Sequence, residues 1–66
     1  MVFKIIELEG TSARDFSDAV ANAVKDAGKT VRGIERVVVD NLEARVENNR
    51  LKEYRARVRI IFRIER

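Results

Sequence analysis

The side chains with chemical reach in this sequence are acids and arginines. Arg55, Arg57, Arg59 and Arg63 recur at alternate positions near the end of the chain, and Glu7 and Glu9 stand two apart near its start. In an extended chain such spacing puts each set on one face. Two carboxylates on one face could serve as general acid and base, and regularly spaced arginines could track phosphates. Each has a plainer reading. On strands this densely charged, acids and arginines pair with one another, so Glu7 and Glu9 are expected as ion-pair partners rather than catalysts. The stacking aromatics of single-strand nucleic-acid surfaces are missing, since Tyr54 is the one tyrosine, there is no Trp, and periodicity turns Tyr54 away from the arginines. Nucleic acid is not expected as a partner.

The chain has no His and no Cys, which excludes Cys nucleophiles, His-based triads and zinc sites. Gly10, Gly28 and Gly33 are too scattered to form a phosphate-binding loop. No catalytic residue is therefore expected. Calcium takes oxygen ligands, for which Glu7, Glu9, Asp40, Glu43 and Glu47 are candidates, but no clustered loop motif joins them.

The elements that position these groups follow from periodicity. Tyr54, Ala56, Val58, Ile60, Phe62 and Ile64 alternate with Arg55, Arg57, Arg59, Ile61 and Arg63, and only an extended strand sorts them into an apolar face and a basic rib. With no Pro or Gly in it, this strand suits the middle of a sheet. Val2 to Glu9 reads as a first strand ended by Gly10. A helix should begin near Ala13, with Thr11 and Ser12 as hydroxyl caps and Asp15 in the capping-box position. Its stripe is Ala13, Phe16, Ala19, Val20, Ala23, Val24 and Ala27, and Gly28 follows as its C′ residue. Thr30 to Glu47 is a second extended segment with a bend near Gly33. Asn48 and Asn49 form the hairpin turn, since Asn tolerates positive φ. That turn sets a register with Val39 beside Val58, Val37 beside Ile60, Asp40 beside Arg57 and Arg32 beside Glu65.

The predicted order is strand, helix, strand, strand, an α+β fold with sheet order 1-3-2 and one helix on one face. The other face, carrying Phe3, Ile5, Ile34, Val38, Leu42 and Ile61 among the arginines, is too apolar for water. Sixty-six residues make one domain, residues 1–66, with a core too small to be comfortable alone. Without disulfides or soft-metal sites, oligomerisation is the remaining source of stability. No apolar run approaches a membrane span, and residues 1–6 are too short and wrongly flanked for a signal peptide. A cytoplasmic location is expected. The net charge of +3 arises from 14 basic and 11 acidic residues, so the surface is mixed in sign rather than simply basic.

Gly10-Thr11-Ser12 before the helix, the run Asp18 to Val24, Lys29-Thr30-Val31-Arg32-Gly33-Ile34, and Glu53-Tyr54 leading into Val58 to Glu65 together resemble the dodecin family over nearly the whole chain. The resemblance implies a hollow homododecamer with helices outward that binds and stores flavin, FMN or riboflavin, without catalysis. Flavin-binding members stack the ring on a Trp of the second strand and hold its edge with a Gln just after the tyrosine that corresponds to Tyr54. Here those positions hold Arg36 and Arg55. The resemblance therefore implies Arg36 and Arg55 as the cofactor-binding residues, with a weakened flavin affinity and a better fit to an anionic ligand. Calcium, or a purely structural shell, is the alternative.

Overall fold

The computed structural model describes residues 1–64. Four elements follow in order: β1 (Phe3–Ser12), α1 (Phe16–Ala27), β2 (Ile34–Glu47) and β3 (Arg50–Arg63). The strands form one sheet in the order β1-β3-β2. β3 is antiparallel to both neighbours, so the strand with the sharpest alternation is the central one.

α1 covers one face of this sheet. Ala19, Ala23 and Ala27 are buried, four residues apart, against Ala56, Val58 and Ile60 of β3. Small side chains bring the helix close, and this closeness explains Gly10. β1 does not stop there as the sequence reading expected, but runs on to Ser12 with Gly10 paired to Ala56. A Cβ on Gly10 would lie 2.1 Å from the Ala19 carbonyl oxygen and 2.9 Å from the Ala23 Cβ. Gly10 is a close-approach position inside a strand, not a strand breaker.

The helix starts later than expected and ends at Gly28 as expected, with caps of a different geometry at both ends. Asp15, not Thr11 or Ser12, is the N-cap, its carboxylate accepting the Asp18 N–H at 2.7 Å. Ser12 instead donates to the Asp18 carboxylate at 2.7 Å and accepts the Arg14 N–H at 2.9 Å. At the other end Gly28 is right-handed, with φ −63°, and its N–H donates to the Val24 carbonyl. The left-handed residue is Gly33, at φ 77°, where the chain turns into β2. Residues 30–33 lie outside β2, so that strand is shorter than its apolar pattern suggested.

Asn48 and Asn49 have φ of 55° and 62°, as a two-residue hairpin turn of the left-handed type requires. The register places Val37 beside Ile60 and Val39 beside Val58 as expected, but Asp40 does not face Arg57. Two irregularities intervene. Register shifts lie between Arg45 and Val46 and between Val39 and Asn41; the first leaves Lys52 extra on β3, the second leaves Asp40 extra on β2. They compensate, so the turn still sets the pairing beyond them, while Asn41 takes the place beside Arg57. A third shift, between Ile34 and Arg36, leaves Glu35 as the extra residue.

Each extra residue flips the alternation that follows it. Leu42 therefore pairs with Ala56, and Ile34 pairs with Phe62, which puts both on the helix side rather than on the open face assigned from strict alternation. The expected pairing of Arg32 with Glu65 involves a residue outside those described.

The molecule is long, 51 × 19 × 13 Å, and a 12-residue helix spans only about 18 Å of it. Phe16 at the helix start meets Tyr54 edge-on, with ring centroids 4.9 Å apart. Beyond that contact the hairpin arm has no helix over it, and Val46 and Leu51 are exposed there.

Candidate functional site

The sheet face opposite α1 has no cover among the described residues. β1 contributes Phe3, Ile5, Glu7 and Glu9, β3 contributes Arg55, Arg57, Arg59, Ile61 and Arg63, and β2 contributes Arg36, Val38, Asp40, Asn41 and Glu43. The cross-strand rows are Ile5, Ile61, Arg36; then Glu7, Arg59, Val38; then Glu9, Arg57, Asn41; and Thr11, Arg55, Glu43. Ile61 is only 2% exposed although it lies on this face. Its cross-strand neighbours are Ile5 and Arg36, and Arg59 and Arg63 flank it on the same face of β3, where long aliphatic stems can shield an apolar neighbour.

Most of the arginines are held by acids. Arg59 makes a two-pronged pair with Asp40, Nε to Oδ2 at 2.7 Å and Nη2 to Oδ1 at 2.8 Å. The Asp40 bulge creates this pair by turning the extra carboxylate toward Arg59. The hydrogen bond from Arg59 holds the Asp40 carboxyl below its ordinary value; desolvation opposes it in part, and the charges of Arg59 and Arg57 add to the lowering. Asp40 in turn raises the Arg59 guanidinium by the same hydrogen bond, with a minor contribution from Glu7. Arg55 donates through Nε to Glu53 at 2.9 Å and through Nη1 to Glu9 at 3.4 Å, and the Glu53 hydrogen bond raises its pKa. Arg63 lies 3.7 Å from Glu35.

Glu9 is thus an ion-pair partner, and Glu7 stands beside Arg59, the arrangement expected of structural acids. Among the described residues no three acidic side chains converge as metal ligands, so Glu7, Glu9, Asp40, Glu43 and Glu47 do not form one calcium cage within a single chain.

Arg36 and Arg55 both lie on the uncovered face, but one chain does not bring them together. Arg36 stands level with Ile61, six residues along β3 from Arg55, or roughly 20 Å at the rise of a strand. A cleft of 430 Å³ at the Lys4, Arg32 and Phe62 end includes neither of them. The sequence reading missed the anchors of Arg55. Glu53 was legible, since it lies two residues away on the same strand face. It also missed that Asp40 and Asn41 share the open face; two poor strand formers side by side inside a strand were the available signal of a bulge.

The fold matches solved structures closely. An arginine-to-alanine variant of the Thermus thermophilus dodecin is 31% identical with a TM-score of 0.94, the match covering 98% of this chain and 97% of that one. The dodecin from Streptomyces coelicolor is 26% identical with a TM-score of 0.93 over 98% and 93% of the two chains. The calcium-chelating immunodominant antigen of Mycobacterium tuberculosis, a calcium dodecin, is 28% identical with a TM-score of 0.84 over 98% and 93%. No curated protein matches the chain. The dodecin family model matches residues 2–65, and with it the strand, helix, strand, strand order and the central β3: the chain belongs to the dodecin family.

Proposed function

We propose that this protein is a non-enzymatic, cytoplasmic small-ligand-binding and storage protein that assembles into a hollow homododecamer, with the uncovered sheet face lining the interior. The observation that carries the proposal is that face itself. It combines Phe3, Ile5, Val38 and Ile61 with a row of arginines in a chain whose one helix lies on the other side. Further copies complete it, and sites that use both Arg36 and Arg55 draw them from different copies.

The ligand class by family is a flavin. Neither a Trp nor any other aromatic residue occupies position 36, so the residues present offer a guanidinium plane and aliphatic neighbours instead of an aromatic sandwich. Guanidinium planes stack on rings, while losing an aromatic pair costs about 0.5–1.5 kcal/mol beyond the buried area. Flavin affinity is accordingly reduced rather than lost.

Titration of riboflavin and FMN with the purified protein, read by quenching of flavin fluorescence, tests this. Quenching that saturates at micromolar to submillimolar protein is expected, and Arg36→Trp with Arg55→Gln should strengthen it at least tenfold. An intact assembly that leaves both flavins unquenched, in the original and the doubly substituted protein, would sink flavin storage. The calcium reading has one specific support, the calcium dodecin of M. tuberculosis. It requires acids from more than one copy, and calcium titration by calorimetry on the same assembly decides it.

A further inference from the structure

The two arginines at the ring positions are not equivalent. Arg55 is consumed by its own chain, between Glu53 at 2.9 Å and Glu9 at 3.4 Å, with Glu43 opposite it in the register. Arg55, Arg59 and Arg63 each have a carboxylate within ion-pair distance, and Arg57, which has none among the described residues, stands between Glu9 and Asn41 in the register; Arg36, on the same face, also has no such carboxylate among the described residues. Its surroundings are apolar. Ile61 is its cross-strand partner, Ile5 lies beyond that, and Val38 is the next residue on the same face of β2.

We propose that Arg36 is the specificity-determining residue of the ligand site, and that it selects flat ligands bearing a phosphate over their uncharged counterparts, while Arg55, already paired within its own chain, adds little to that selection. The inference rests on the ligand-binding role above and names the class of ligand. An unpaired guanidinium keeps its planar fork of donors for a phosphate, and charge-assisted bonds of this kind are about twice as strong as neutral ones. The aliphatic floor of Ile5, Ile61 and Val38 keeps water from one side of the contact, which strengthens it further. At Arg55 an incoming phosphate would meet Glu9, Glu43 and Glu53, so the attraction there is already answered.

Two ligand pairs isolate the charge. FMN and riboflavin differ by a phosphate, and AMP and adenosine differ in the same way without a flavin ring. Equilibrium dialysis of all four against the full-length assembled protein, at about 50 mM and about 500 mM salt, should show a preference of roughly tenfold or more for the phosphorylated member. The preference should shrink at high salt, where exposed charges are screened. It should vanish in Arg36→Met, which keeps the aliphatic stem, and persist in Arg57→Met, with light scattering confirming assembly of both. Arg36→Lys, which retains the charge, should keep part of it. Equal binding of charged and neutral members overturns the proposal, as does a preference that survives Arg36→Met, one lost with Arg57 instead, or failure of FMN and AMP to bind at millimolar concentration. Binding of AMP over adenosine through Arg36, with both flavins unbound, would refute flavin storage and leave the charge selection standing.

Discussion

The two faces of the sheet bury β3 by different means. On the helix side Ala56, Val58 and Ile60 are wholly buried under alanines four residues apart, a close-packed contact with no polar atom to satisfy. On the other side Ile61 is just as buried, but among arginines, of which Arg59 and Arg63 are tied to Asp40 and Glu35. The first face is finished by the chain itself. The second is a charged surface over an aliphatic floor, left unfinished by the single chain and chemically suited to receive something. A small domain can thus separate the work of folding from the work of recognition by dedicating one face of a sheet to each.

If that separation is right, damage to the helix side should unfold the chain. Ile60→Ala removes a fully buried side chain and should cost about 2–5 kcal/mol, read as a lowered denaturant midpoint. Gly10→Ala comes next. Its Cβ would press on the Ala19 carbonyl and the Ala23 Cβ, and since backbone cannot swing aside, an overpacking cost of about 1–3 kcal/mol is expected. A Gly10→Ala protein as stable as the original would show that the helix does not lie so close.

The open face should respond to charge and only weakly in stability. Asp40 has its folded value below the ordinary 3.8 because of the Arg59 hydrogen bond, so folding favours its ionised form. Its contribution is fully present above the ordinary value and is lost as pH falls through that value toward the folded one. Melting temperatures of the original and Asp40→Asn should therefore converge below about pH 3.8 and differ slightly above it, less so in high salt. A large, salt-independent difference at neutral pH would mean that the pair is part of a buried contact.

How much of this was legible in the sequence depended on where alternation held. β3 reads correctly from Tyr54 to Arg63 because no residue in that run is extra, and the Asn48-Asn49 turn set a register that proved right at Val37 and Val39. Leu42 and Ile34 were misplaced for one reason: bulges at Asp40 and Glu35 flip the faces, and a period-two reading has no way to insert a residue. Gly10 was misread because its role is set by the distance to Ala19, which depends on how the helix lies and not on its neighbours in the chain. At the candidate site, the face of Arg36 and Arg55 could be read, and their proposed roles come from the resemblance alone. Their inequivalence could not, because it depends on which carboxylates the folded register delivers to each.

The account depends most on the uncovered face being closed by other copies. Light scattering on the purified protein at micromolar concentration measures that directly. One species of about 91 kDa, twelve times the 7.6 kDa chain, is the expected result. A monomer that keeps its circular-dichroism spectrum at that concentration would contradict it, since the face proposed to line a shell would then stand open in solution.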